Sequence, residues 1–427
     1  EEFRLGRAWL RQFRARAPQW QDPIAQHYVE SMVSRLLPHS GLGGSQPLVT
    51  LVDSRQLNAF AVPGGIIGVN AGLFAFADEE AGLSQRHYAR GQARTEQTQV
   101  PAMAAMLAGM LIAAAGGGDA GFGVAMGSQA AFIQDQLAYS RRFEQEADRI
   151  GLQAMAEAGY DPQAMVRMFR AMQRMVSLQG GNPPEFLLTH PLTESRISDT
   201  QDRAGQLAVS SPRDDALQYH LVRARALLAI HEHDPQQAIN QLAQDDVPGA
   251  ARRYLDALVE ARRGNTDAAL ATLDALARQE PDLSLLPASA AEVAFDAGRF
   301  DDATERSRQL LRLVPGYLPA TLVLGEALLQ SDADAAWRVL RELAEQRHED
   351  PQVFTLLAQA AGRSGREAWG HLARAERLQL DGRISDAIRQ LEVAKQVAER
   401  EGDVAAAARI EQRREAFIGY RETLEKF

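Results

Sequence analysis

Apolar and charged residues alternate at helical spacing from Phe3 to Leu37, with breaks at Ala17-Pro18 and Asp22-Pro23, where proline interrupts the pattern. Leu48-Val49-Thr50-Leu51-Val52 is a short apolar run rich in β-branched residues, the mark of a strand. Ala59-Phe60-Ala61-Val62, Pro63-Gly64-Gly65 and Ile66-Ile67-Gly68-Val69 then spell strand, tight turn, strand. Asn70-Ala71-Gly72-Leu73 leads into another helix. Together these stretches predict a small antiparallel sheet embedded among helices. A long helix follows from about Gln129 to Gly159, where Gly159-Tyr160-Asp161-Pro162 stops it and starts the next.

From Ser210-Ser211-Pro212 the pattern changes to paired helices punctuated by glycine. Gly264, Thr266 and Ala269 precede Pro281, and Gly298, Phe300 and Ala303 precede Pro315; glycine to glycine and proline to proline, the spacing is 34. That is the tetratricopeptide period. Gly382, Ile384 and Ala387 repeat the step, while Pro351, 36 residues after Pro315, marks a drift in the middle repeats. Small residues let paired helices approach, and proline ends the second helix of each unit. The fold class is α-dominated α+β, with a mixed domain over residues 1–208 and a helical repeat array over 209–427.

Gln97 to Gly118 is uncharged and carries Met103, Met106, Met110 and Leu111, and its length approaches a membrane span. Much of it is Ala and Gly, bracketed by Pro101 and Gly116-Gly117-Gly118, so a buried or interface-lying helical hairpin is expected ahead of a transmembrane helix. Composition adds exclusions. With 46 basic and 56 acidic residues the net charge is −10, which argues against nucleic acid as a partner. The chain has no cysteine, which removes disulfides, thiolate metal sites and cysteine nucleophiles and fits an oxidising compartment. It opens on Glu1-Glu2-Phe3 and runs directly into a helix, so any targeting segment is expected to have been removed already.

Candidate chemistry centres on Phe143-Glu144-Gln145-Glu146-Ala147-Asp148-Arg149-Ile150-Gly151. Glu144 and Asp148 stand four apart and share a helix face, either as a solvated stripe or as a site. Most of the nine histidines have no acidic or histidine partner at ligand spacing. His231-Glu232-His233 falls in a turn between repeat helices and reads as a solvated loop. His190 differs: Thr189-His190-Pro191 lies in a loop entering a helix, with Thr193 and Arg196 resembling a helix start. Such a histidine is either presented to a metal or bonded to a helix end.

The ordered set Asn58-Ala59-Phe60-Ala61, Gly64-Gly65, Asn70-Ala71-Gly72-Leu73, Arg86-His87, Glu144 to Gly151 and Thr189-His190-Pro191 resembles the Ste24-related zinc metallopeptidases, in their periplasmic branch with a C-terminal tetratricopeptide array. The resemblance covers essentially the whole chain. It implies a gluzincin-type helical metalloprotease domain and zinc as cofactor. It also implies Glu144 as metal ligand, Asp148 bracing a ligand imidazole, His190 as a regulatory cap on the metal, and Arg196 near an oxyanion. As partners it implies stalled outer-membrane proteins and the outer-membrane assembly machinery, with Gln97–Gly118 as a peripheral membrane contact. One departure is serious. The family carries His-Glu-x-x-His ahead of the Arg-His pair, whereas Phe76-Ala77-Asp78-Glu79-Glu80-Ala81-Gly82-Leu83-Ser84-Gln85-Arg86-His87 contains no such motif. About a dozen residues, roughly three helical turns, are missing between Ala81 and Leu83. Either the protein carries a helix that this chain lacks, or it has lost the helix. As it stands the chain holds one zinc ligand and no general base.

Overall fold

A computed structural model describes residues 2–39, 47–62, 64–77, 80, 130–178, 187, 192–209, 211–213 and 216–425. Packing groups residues 18–252 into one unit and residues 3–17 with 253–427 into another. This grouping differs from a division at residue 208: two helices beyond it sit in the first unit, and the N-terminal helix sits in the second.

In the first unit, α2 (Pro23–Leu36) starts where Asp22 accepts from the backbone N–H groups of Ile24 and Ala25, with Pro23 at the first position, where its missing N–H costs nothing. Ile24, Tyr28, Val29, Met32, Val33 and Leu36 recur at three- and four-residue steps, and all are buried. The sheet is made of β1 (Leu48–Val52), β2 (Ala59–Val62) and β3 (Ile66–Asn70) in the order β1-β3-β2. β2 and β3 form the antiparallel hairpin that Gly64 and Gly65 permit, both glycines lying at positive φ. β1, however, pairs with β3 in parallel, Leu48 opposite Ile66 and Val52 opposite Asn70, so the sheet is mixed and the expectation of an antiparallel one is corrected. The physical reason lies in β1 itself: Val49 through Val52 are all buried, Thr50 included, as in a strand covered on both faces.

Residues 18–20 cover the outer edge of β1, through Trp20 N–H to Leu51 O at 3.2 Å and Asp53 N–H to Pro18 O at 3.0 Å. Among the described residues no strand pairs with the outer edge of β2. Beyond β3, α3 (Ala71–Phe76) carries Gly72 in its first turn, where a Cβ would lie 2.2 Å from the Arg55 carbonyl oxygen. Helices α4 (Ala130–Glu157), α5 (Gln163–Leu178), α6 (Glu194–Ala204), α7 (Ala216–Ile230) and α8 (Pro235–Gln244) complete the unit. Phe74 of α3 lies between Trp20, edge-on at 5.7 Å, and Tyr219 of α7, stacked at 6.3 Å, and joins strand-bearing and helical parts in one core.

The second unit is an array of helix pairs: α9 (Gly249–Arg262, which bridges the boundary) with α10 (Thr266–Gln279), α11 (Leu285–Asp296) with α12 (Phe300–Leu313), and α13 (Leu318–Ser331) with α14 (Ala333–Gln346). Then come α15 (Pro351–Arg363) with α16 (Glu367–Leu380), and α17 (Ile384–Glu401) with α18 (Val404–Glu425). The sequence period has a direct cause. Gly264, Gly298 and Gly382 sit in turns at positive φ, and Ala269, Ala303 and Ala387 are fully buried where helices approach closely. Trp337, Leu340, Phe354 and Leu357 form the core where α14 meets α15.

One acid in this array titrates far from its usual range. Burial, with Asp296 and Glu292 of α11 adding repulsion, pushes Glu326 of α13 up to about 7. Its folded-state pKa exceeds the unfolded one, so the folded array holds a proton that the unfolded chain releases. Stability falls as pH rises from the ordinary glutamate range through about 7. Glu326→Gln is therefore expected to stabilise the array by about 1–2 kcal/mol at pH 8 and by nothing near pH 4, the half-buried position limiting the gain. Thermal melts of both proteins at the two pH values check this.

Candidate functional site

Glu144 and Asp148 lie on the buried face of α4 that continues through Leu152 and Met155, while Gln145, Glu146 and Arg149 face outward. The solvated-stripe reading of the two acids therefore fails, since Glu144 is 9% and Asp148 3% exposed. Burial of two carboxylates needs a counter-charge, and α6 delivers it. Thr193 caps that helix, its hydroxyl accepting from the Arg196 N–H at 3.2 Å, which sets Arg196 in the first turn. From there the guanidinium Nε donates to Asp148 Oδ2 at 2.5 Å and Nη2 to Asp148 Oδ1 at 2.8 Å. Nη2 also stands 2.9 Å from Glu144 Oε2. Beneath it the ring of Phe169 on α5 supports the guanidinium carbon at 5.0 Å.

The electrostatics follow. Burial raises the pKa of Asp148, and the hydrogen bonds and charge of Arg196 pull it back. Burial would lower the pKa of Arg196, but its bonds to Asp148 and the charges of both acids outweigh that and raise it. With all three ionised, the cluster keeps one negative charge in excess. This is a fork-shaped cation matched to a carboxylate in bidentate fashion, a geometry only arginine supplies.

Three sequence-derived site residues thus converge: Glu144, Asp148 and Arg196. His190 and the His87 segment lie outside the described residues, as does Gln97–Gly118. His231 sits in the turn after α7, its Nε2 3.0 Å from Gln241 Oε1. Among the described residues no three His, Cys, Asp or Glu side chains are placed to hold a metal. Both acids of the cluster are engaged by Arg196. The described residues therefore do not fit a three-ligand zinc centre.

A second buried polar group went unnoticed in the sequence. Glu80 accepts from Arg35 Nη2 at 3.0 Å and from the Tyr160 hydroxyl at 3.2 Å, and Arg35 Nη2 also donates to that hydroxyl at 3.0 Å. Burial, then the charge of Glu80, pushes Tyr160 up to about 12. Nothing local flagged it: Glu80 belongs to a short acidic run that reads as surface, and its partners are 45 and 80 residues away. No helix among the described residues is long and apolar enough to cross a membrane.

Residues 23–204 match peptidase family M48, and residues 294–360 match the tetratricopeptide repeat. The β-barrel assembly-enhancing protease of Escherichia coli strain K12 is 29% identical, over 92% of this chain and 83% of its own. A Vibrio cholerae protein that carries the same name provisionally is 30% identical, over 98% of this chain and 90% of its own. The mitochondrial metalloendopeptidase OMA1 of Schizosaccharomyces pombe is 26% identical, over 45% of this chain and 56% of its own. With the buried acid pair on α4, its arginine from α6 and the repeat array later in the sequence, the chain belongs to peptidase family M48, a metalloendopeptidase joined to a tetratricopeptide array.

Proposed function

We propose that this protein is a periplasmic zinc endopeptidase that degrades stalled outer-membrane proteins and assists their assembly, its array holding the client or docking on the assembly machinery. The observation that carries the reading is likeness at 30% identity along 98% of the chain to a protein named for β-barrel assembly enhancement. The β2–β3 hairpin supports it, because an extended client strand added to a sheet edge gains backbone bonds whatever its sequence. In this reading Glu144 serves the metal, Asp148 braces a ligand histidine, and His190 holds the enzyme off. Arg196 keeps the acids charged and assists an oxyanion.

A second reading has its own observation. The sequence lacks His-Glu-x-x-His, and the acids that remain are ion-paired with Arg196, as suits a scaffold on a silent peptidase fold. The Vibrio cholerae alignment spans 441 positions, more than the 427 residues of this chain, so that relative carries residues within the matched stretch that this chain lacks. We therefore expect the natural protein to be heavier than 46.7 kDa by about a dozen residues, roughly three helical turns. It should also bind zinc, digest an unfolded outer-membrane barrel, and lose zinc on Glu144→Gln. Intact mass, metal analysis and the digestion assay decide. A mass of 46.7 kDa with neither zinc nor cleavage selects the scaffold.

A further inference from the structure

The N-terminal helix α1 (Glu2–Arg14) is not packed as an ordinary amphipathic helix, apolar side in and charged side out. Arg4, Arg7, Arg11 and Arg14 recur at three- and four-residue steps along one face, and that face meets the array. Arg7 Nε donates to Glu349 Oε1 at 2.7 Å. Arg11 Nε donates to Gln379 Oε1 at 2.7 Å, and its guanidinium carbon lies 4.2 Å from the centre of the Tyr420 ring. Arg4 Nη2 reaches Thr423 Oγ1 at 3.2 Å. Burial lowers the pKa of Arg14, while the nearby charges of Asp350, Glu349 and Asp381 oppose that shift.

The receiving surface is built from the turns before α15 and α17, the end of α16 and α18. Gly382, in the second of those turns, leaves no room for a Cβ, which would lie 2.4 Å from the Arg11 carbonyl oxygen. The corresponding repeat glycines Gly264, Gly298 and Gly365 have nothing within 4 Å of such an atom. One turn of the array is thus shaped for a helix backbone, and acids and an aromatic ring beside it are shaped for arginines.

We propose that this surface is a recognition site for a basic amphipathic helix, which α1 occupies in the resting chain and which an arginine-striped helix of a partner protein takes over. Charged pairs of this kind set register and specificity more than raw affinity. Trp9, Leu10 and Phe13 of α1 are buried too, so the incoming helix must carry an apolar face opposite its arginines. The inference stands apart from the peptidase reading.

The test uses the full chain and a fluorescent synthetic peptide of residues 2–17. Arg7→Glu with Arg11→Glu detaches the resident helix, and the peptide is expected to bind this variant at least about tenfold more tightly than the native chain, less so as salt rises. A peptide with its arginines replaced by glutamine should not bind. Independently, Glu349→Arg should speed hydrogen exchange in residues 3–14, and adding Arg7→Glu should slow it again. Equal binding to native chain and variant, binding of the glutamine peptide, or absence of binding to a variant whose array keeps native exchange protection overturns the proposal. If the double variant unfolds, the Glu349 pair decides: unchanged exchange at residues 3–14, or no recovery with Arg7→Glu, overturns it as well.

Discussion

Replacing Arg196 by methionine is expected to destabilise the peptidase unit by about 3–5 kcal/mol, because it leaves two buried carboxylates without the cation that both were built around. Arg196, Asp148 and Glu144 are each less than a tenth exposed, so water cannot take the place of the lost guanidinium. The cost depends on pH with a definite sign. Without Arg196 the folded-state pKa values of both acids rise above their unfolded ones, so stability is retained at low pH and lost as pH climbs through them. In the native protein the same trend survives weakly at Asp148, whose pKa burial already raises. A fall in Tm on the order of 10 °C at neutral pH, shrinking towards pH 4, is the expected result. Adding Glu144→Gln and Asp148→Asn to the variant should recover most of the loss, since removing every member of a buried ionic group often costs little. A neutral-pH melt unchanged by Arg196→Met would show that the acids do not need this counter-ion.

How much of this was legible beforehand depends on how far each feature reaches along the chain. Asp22-Pro23, Gly64-Gly65 and the repeat glycines act within a few residues, and each did what its backbone chemistry requires. The parallel pairing of β1 was missed although its signal was present, since Leu48 to Val52 has no polar alternation beyond Thr50. Glu144 and Asp148 were legible as neighbours because four residues make one helical turn. Their burial was not, because it depends on Arg196, 48 residues away from Asp148. The arginine stripe on α1 was visible as charge but not as an interface, since Glu349 and Gln379 lie more than 300 residues downstream. Sequence periodicity reports the face of an element and is silent on what meets it.

Arg223 is the sharpest case of that silence, and its loss should cost about as much as that of Arg196. It lies within an apolar helix, α7, that the repeat pattern assigns to the array, yet its side chain is 1% exposed and points to the end of α3. The last carbonyls of any helix lack intrahelical donors and carry the negative end of its dipole. Here Arg223 Nε donates to Phe74 O at 3.0 Å and Nη2 to Ala75 O at 3.2 Å and to Asp245 Oδ2 at 2.6 Å. The Tyr219 hydroxyl donates to Ala77 O at 2.6 Å, and Gln241 Nε2 to Ala75 O at 3.3 Å. Helices α7 and α8 thus end α3 from outside, just ahead of the stretch where His-Glu-x-x-His would stand in the family. Arg223→Met removes the shared donor, leaves the buried Phe74 carbonyl and Asp245 without it and Ala75 O with Gln241 alone, and should destabilise the unit by about 3–5 kcal/mol. Arg223→Lys keeps the charge but cannot span carbonyls and carboxylate at once, so an intermediate loss of about 1–2 kcal/mol is expected. Tyr219→Phe should cost about 1 kcal/mol. Denaturant midpoints rank the three. Equal, small effects would mean that α3 is held by the aromatic stack of Trp20, Phe74 and Tyr219 and not by its capped end.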